Sequence, residues 1–286
     1  MMKREKRKEK REKIRVIKSI IISITAIFIG LVIIFPIFYS INISFKTRAE
    51  LSVYPPRILP NSFFNLENFK TVFLVAPLMR FMFNSVIVAG MGSILKLIFA
   101  ILAAYAFCFF TFPGKTALFL IVLGTMMLPA ETLVVTNYLT IIRLNMLDNY
   151  LGMCIIALVG ASQMFMLRQN FKTIPQSYRD AAFMDGCGDL RYLVSVVTPL
   201  ASPVILTLLV QSFITFWNAY LWPLMVTNRV EMRTVQIGIA MLTNPYDTNY
   251  TLVLAAVSIL LIPSFVLFSF LRLAISKGIE GGALVG

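Results

Sequence analysis

The chain contains no histidine. That absence removes the usual haem ligand, the H-E-x-x-H zinc pattern and the imidazole general base. Cysteine is scarce as well. Cys108, Cys154 and Cys187 are far apart and odd in number, so they imply neither a disulfide framework nor a zinc cluster. Charge is thin: 14% of residues are charged, against about 25% in a soluble domain. Gly114-Lys115-Thr116 ends like a phosphate-binding loop, but the full pattern needs a glycine at position 109, where Phe109 stands. Nucleotide binding by this chain alone is therefore not expected, nor is a metal or a cofactor.

What is present is apolar sequence, 58% of the chain. About 20 apolar residues cross a bilayer core as a helix. Residues 19–45, 149–167, 192–228 and 248–271 carry no charge, and the runs 81–110 and 116–140 carry one ionisable residue each, Lys96 and Glu131. Six runs of this length predict an all-α membrane protein with six transmembrane helices. Ahead of them, residues 1–18 hold ten Lys/Arg and three Glu. The apolar run that follows is too long for a signal peptide and no A-x-A site trails it, so it reads as an uncleaved anchor. A basic cluster beside a membrane sits on anionic lipid and sets orientation; nucleic acid is not the expected partner. With the N-terminus inside, cytoplasmic segments hold seventeen Lys/Arg and outer loops eight, so the positive-inside rule puts both termini in the cytoplasm.

An ionisable group at mid-span costs roughly 2.5–3.5 kcal/mol on insertion scales and is expected to face the bundle or a wet cavity. Lys96 and Glu131 are read that way, with mutual neutralisation as one option. Ser93 and Lys96 have the spacing of a Ser-Lys nucleophile pair, but Lys96 falls near the middle of its span, away from the water such chemistry needs.

After the fourth run comes the most polar stretch between two long apolar ones, "YRDAAFMDGCGDL" at 178–190. Pro175 suits the first helical position. A ten-residue helix is predicted over 176–185, with Gly186 ending it in the left-handed conformation. Asp189 is placed to cap a second short helix. Tyr178, Ala181, Ala182 and Asp185 share one face of the first helix, while Phe183 and Met184 are exposed unless a partner covers them. A ten-residue helix is marginal in water, so either a partner orders it or it is a solvated loop rich in helix formers.

In the fifth run Thr207, Gln211, Thr215 and Asn218 form a polar stripe, with Trp217, Tyr220 and Trp222 nearby. Amide groups can bond the hydroxyls of a polar solute and aromatic faces can cover its C–H surfaces. Equally, Gln, Asn and Thr hold helices together in membranes, and Trp and Tyr favour the interface. Pro199, Pro203 and Pro223 kink this run. The outer segments 41–80 and 227–250 are long for connectors.

The stretch "IPQSYRDAAFMDGCG" followed by "VVTPLASP" resembles the signature loop of permease subunits of binding-protein-dependent ABC importers: Glu-Ala-Ala, three residues, Gly, then a Leu-Pro-like element. Here these are Asp180-Ala181-Ala182, then Phe183, Met184 and Asp185, then Gly186, with Thr198-Pro199-Leu200 and Pro203 beyond. "NSVIVAG" at 84–90 and "AAYAF" at 103–107 resemble the start of the family's core module, about 82–275. "FWNAYLWPL" at 216–224 and "SKGIEGGALVG" at 276–286 resemble its carbohydrate branch. Asp180 stands for the family's glutamate, and Val285 for a lysine common before the last glycine.

The resemblance implies a permease domain over 19–286 and a cytoplasmic coupling helix, about 176–190, between the fourth and fifth spans. Tyr178, Asp180, Ala181, Ala182, Phe183, Met184, Asp185 and Gly186 would meet the ATPase; Gln211, Thr215, Trp217, Asn218 and Tyr220 would line the path of a sugar or oligosaccharide. The implied partners are two ATP-binding subunits, a second permease, an extracytoplasmic solute-binding protein and the lipids of a bacterial-type cell membrane; the resemblance places the outer segment 41–80 against the second permease and 227–250 at the docked binding protein. The chain itself would be no enzyme. The alternatives are an importer permease for a non-sugar solute or an ion-coupled secondary carrier. For the carrier, Lys96 and Glu131 are the only midplane candidates and no internal repeat is visible.

Overall fold

The computed structural model describes the backbone over residues 2–243 and 248–283, and side chains over 18–129, 131–243, 248–266 and 269. The chain is all-helical, with helix over 77% of its length and no strand among the described residues. In order the α-helices are α1 (Met2–Ser44), α2 (Arg48–Leu51), α3 (Glu67–Val75), α4 (Leu78–Phe109), α5 (Lys115–Gly124), α6 (Val134–Arg143), α7 (Tyr150–Cys154) and α8 (Ala161–Phe171). They continue with α9 (Gln176–Met184), α10 (Asp189–Tyr192), α11 (Thr198–Leu200), α12 (Ser202–Trp217), α13 (Leu221–Val226), α14 (Val235–Met241) and α15 (Tyr250–Ala283).

Two stretches are long and apolar enough to cross a membrane unbroken, Lys18–Ser44 of α1 and the whole of α4. At 1.5 Å per residue each reaches about 40 Å or more, longer than a hydrocarbon core of about 30 Å. Three more candidate spans are bent pairs of helices, which bring the number to as many as five; Tyr250–Val266 is a shorter apolar helix. The six runs of the sequence thus differ in kind, because backbone breaks cut through apolar stretches that hydropathy reads as continuous.

Two of the breaks carry a local feature at the corner. Tyr150–Ala157 meets Ala161–Phe171 at 59°. At that corner a Cβ on Gly160 would lie 2.2 Å from Gln163 Oε1 and 2.6 Å from Lys96 Cε, so a larger residue would have to displace the ends of those two side chains. Asp189–Leu200 meets Ser202–Trp217 at 83°. Here Pro199 and Pro203 each lack an N–H for the helical ladder. The backbone answers with a π-helical turn at Leu193–Val197, whose end is closed by the Thr198 N–H on Leu193 O. It then turns at Ala201 (φ −89°, ψ 3°).

The chain divides into two compact units, Met1–Leu74 with Leu242–Ile259, and Val75–Met241 with Leu260–Gly286. In the first, Asn68 is the knot. Its side-chain amide donates to Ser44 O at 2.9 Å and Lys46 O at 2.8 Å, and its Oδ1 accepts from Thr251 at 3.1 Å. Phe45 packs between Phe63 and Phe69. Thr47 and Glu50 form a capping box on α2, and Lys46, 2% exposed, gives its ammonium to Arg57 O. Before this knot the apolar stretch of α1 is uncovered: Ile20 to Phe35 includes twelve large apolar side chains more than half exposed.

The second unit is built around α4, flanked by α12, α8, α7 and α14. At the α4–α12 contact Gly92 admits the Phe216 ring, which would lie 2.8 Å from a Cβ there. Glycine brings membrane helices this close. The N-terminal half of α4 also carries the loop that the sequence placed at a binding protein. Buried Asn84 donates to Glu231 O and Arg233 O and accepts from Tyr150, while Ser85 Oγ accepts from the Val235 N–H. Over 227–241 that segment is folded down, not free; residues 244–247 lie outside the described residues.

Candidate functional site

The segment 176–192 begins after Phe171, which is fully buried. Pro175 is the N-cap of α9 rather than its first residue, one position earlier than the sequence placed it. The helix runs nine residues and ends in a Schellman motif: the Gly186 N–H bonds Phe183 O at 3.1 Å and the Cys187 N–H bonds Ala182 O at 2.9 Å. Gly186 has φ +77°, the left-handed conformation that glycine alone adopts freely.

α9 has two faces, and they are not the ones the sequence drew. Arg179, Ala182 and Phe183 turn toward the core. Ala182 packs on the apolar cluster of α4, α8 and α12, and Phe183 meets Tyr192 edge-on at 6.1 Å, leaving Phe183 41% exposed. Tyr178 (47% exposed), Asp180, Ala181, Met184 (89% exposed) and Asp185 face outward. Ala182 therefore leaves the face expected with Tyr178, Ala181 and Asp185. Asp180 accepts a bond from Gln176 at 3.2 Å within its own helix.

Asp189 does not cap α10. Gly188 occupies the N-cap and Asp189 is the first helical residue. Its carboxylate instead accepts from Tyr105 Oη at 2.9 Å and lies 3.5 Å from Arg179 Nη2. The sequence reading missed this trio. Its signal was the end of α4: "AAYAFCFF" has no basic residue in the last turn, so its free carbonyls need donors from elsewhere. Arg168 Nε donates to Phe107 O at 3.0 Å, Lys115 Nζ to Cys108 O at 3.4 Å and Phe110 O at 2.6 Å, and Arg179 Nη1 to Phe109 O at 3.3 Å. Three cations thus complete the negative end of that helix. Lys115 belongs to the Gly-Lys-Thr tripeptide, where Gly114, at φ +76°, makes the tight turn into α5.

On α12 the stripe of Thr207, Gln211, Thr215 and Asn218 is exposed along its whole length. Thr207 and Thr215 donate to Pro203 O and Gln211 O of their own helix, and Asn218 Oδ1 accepts from Gln236 at 3.4 Å. Tyr220 is exposed beside the stripe. Trp217 is not: it is 6% exposed and stacked on Phe213, on the core side of α12. Trp222 donates to Gly152 O.

Lys96 is half-buried with its ammonium 5.9 Å from the centre of the Phe216 ring, Glu131 is exposed, and no ion pair joins them among the described residues. Ser93 donates to Gly90 O one turn back in α4, so the Ser-Lys spacing assembles no nucleophile. Val285 lies outside the described residues.

A family model described as "Binding-protein-dependent transport system inner membrane component" matches residues 14–279. The chain is 32% identical over 244 residues to the sn-glycerol-3-phosphate transport system permease protein UgpE of Brucella abortus, covering 81% of this chain and 86% of that one. It is 30% identical over 277 residues to the arabinooligosaccharides transport system permease protein AraQ of Halalkalibacterium halodurans, covering 94% and 98%. Its fold matches a chain of a bacterial ABC transporter involved in the import of the acidic polysaccharide alginate, with a TM-score of 0.77, 23% identity, and coverage of 90% of this chain and 95% of that one.

Proposed function

The chain belongs to the family of binding-protein-dependent transport system inner membrane components, and on that premise we propose that it forms half of the translocation path of an ATP-driven importer for a sugar or oligosaccharide. Six spans cross the cell membrane with both termini in the cytoplasm: α1, α4, the pair around Pro129, the pair around Gly160, the pair around Ala201, and α15. A basic tail over 1–18 precedes them, and the core module extends over about 82–275. Two ATP-binding subunits, a second permease and an extracytoplasmic binding protein complete the complex. ATP is hydrolysed by the partners.

One observation carries this reading. α9 matches the family loop, is fastened to the core on one face, and leaves Tyr178, Ala181, Met184 and Asp185 uncovered on the other. A nine-residue helix presenting a bare Met and Tyr is a docking element, and the groove of an ATPase is its occupant. Force applied there reaches α12 along the leg 189–200, through the 83° corner.

For the solute, the stripe on α12 offers hydroxyls and amides and no cation. That favours a neutral polyhydroxylated solute, such as the arabinooligosaccharides named for one relative, over the phosphate ester named for the other. Gln211, Thr215, Asn218 and Tyr220 face the path; Trp217 supports the stripe from behind.

The test is to purify the permease with the products of its neighbouring genes and reconstitute the complex in vesicles. Capture of an ATPase through a cross-linker placed at position 178, together with sugar uptake that persists when the proton gradient is collapsed, is the expected result. Uptake that follows the proton gradient, with no ATPase captured, would overturn the proposal.

A further inference from the structure

A helix that receives force from outside must be rigidly joined to what it moves. α9 is short, and it is bounded by Pro175 at one end and by Gly186 and Gly188, where the chain turns out of the helix, at the other. Its backbone connections are therefore poor transmitters, and the joint must be made by side chains. Ala182 and Phe183 contribute only apolar contact, which resists separation but permits sliding.

Arg179 is different. Its Nη1 donates to Phe109 O of α4 at 3.3 Å, and its Nη2 lies 3.5 Å from Asp189 Oδ1 of α10, the same oxygen that Tyr105 of α4 holds at 2.9 Å. The guanidinium carbon is 5.5 Å from the centre of the Phe109 ring and 5.1 Å from that of Phe183. One planar group thus engages three helices. Of the three cations at the end of α4, Arg168 and Lys115 come from α8 and α5; Arg179 alone comes from α9. Its hydrogen bond to Phe109 O is directional and its ion pair with Asp189 supplies a second anchor, so together they limit the angle of α9 as well as its distance.

We propose that Arg179 is the positioning residue that clamps the coupling helix to α4 and α10 and so turns ATPase motion into movement of the path-lining helices. The clamp rests on the reading that an ATPase grips α9. It adds that grip and transmission reside on opposite faces of the helix: Tyr178, Ala181, Met184 and Asp185 for the first, Arg179 for the second.

The experiment uses the reconstituted complex and compares wild type with Arg179→Ala, Arg179→Lys, Tyr105→Phe and Asp189→Asn. ATPase capture, ATP hydrolysis and solute moved per ATP are measured on preparations matched for ATPase content. Arg179→Ala retains capture and hydrolysis, while solute per ATP falls roughly tenfold, within the range of a lost coupling free energy. Arg179→Lys, which cannot span both acceptors with one fork, and the two partner variants fall between. A merely structural role lowers capture, hydrolysis and transport together and leaves the ratio unchanged. An unchanged ratio in Arg179→Ala overturns the clamp. So does loss of ATPase capture by that variant, which would make Arg179 part of the grip. If Arg179→Ala does not accumulate, Tyr105→Phe and Asp189→Asn decide by the same ratio. Failure of the wild-type permease to capture any ATPase is a separate outcome and sinks the reading beneath.

Discussion

Replacing Gly186 isolates one physical term at the end of the coupling helix. The residue sits at φ +77°, and a Cβ built there meets nothing within 4 Å. A side chain therefore encounters open space, and only the backbone objects. The left-handed conformation costs an L-residue roughly 1–2 kcal/mol, which multiplies the opened population of the cap by about 5 to 30. The cap's two bonds, from the amides of residues 186 and 187 to Phe183 O and Ala182 O, report that opening directly. Amide exchange at position 187 should accelerate by that factor in Gly186→Ala. It should accelerate less in Gly186→Asn, because asparagine tolerates this region, and more in Gly186→Val, because a β-branched residue does not. Transport per ATP should follow the same order, as the helix loses its defined end. Exchange in Gly186→Ala as slow as in wild type, or an order in which Asn and Val are equivalent, would refute the conformational account.

Three further outcomes are expected. Gly92→Leu should lower the thermal stability of the purified permease by about 1–3 kcal/mol through overpacking against Phe216, and Phe216→Leu in the same chain should restore part of it; additive losses would place the α4–α12 contact elsewhere. Asn218→Leu should weaken solute interaction by about 1–3 kcal/mol and reduce uptake with ATPase capture intact, and normal uptake would remove the stripe from the path. Glu50 is held below its ordinary carboxylate value of 4.5, chiefly by the Asn61 N–H and then by Thr47 and Lys46. A lowered folded value means that its contribution is complete above the unfolded value and disappears as pH falls through the folded one. The Asn61 amide should thus lose exchange protection below pH 4.5, and Glu50→Gln should flatten that dependence.

Local chemistry reached the sequence reading intact at α9. Proline before the helix, glycine after it and the Ala-Ala pair between are all short-range signals, and the element lies within one residue of where they put it. Its facing was harder. A cation beside an aspartate reads as solvent-exposed, yet Arg179 turns inward because the carbonyl it serves lies seventy residues earlier in the chain. Hydropathy saw 192–228 as one apolar run, since no charged residue marks Ala201; Pro199 and Pro203 gave the kink but not its 83°. Trp217 is next to Asn218, but a 3.6-residue period separates neighbours by about 100°, enough to carry it from the exposed stripe to the buried face of α12. Asn84 and the loop it secures at 231–233 depend on contacts nearly 150 residues apart, which no window of sequence contains.

Among the described residues, the first long helix is a mast stepped only at its foot. None of the most apolar window of Lys18–Ser44 is buried, whereas Asn42, Ile43 and Ser44 at its end are. A shaft free along its length answers to the thickness of the surrounding lipid by leaning, at a cost of fractions of a kcal/mol per ångström. A swap of its upper portion for any other greasy segment of equal length should leave the remaining architecture undisturbed, as should growth in shorter- or longer-chain lipids, for the strain ends at three residues.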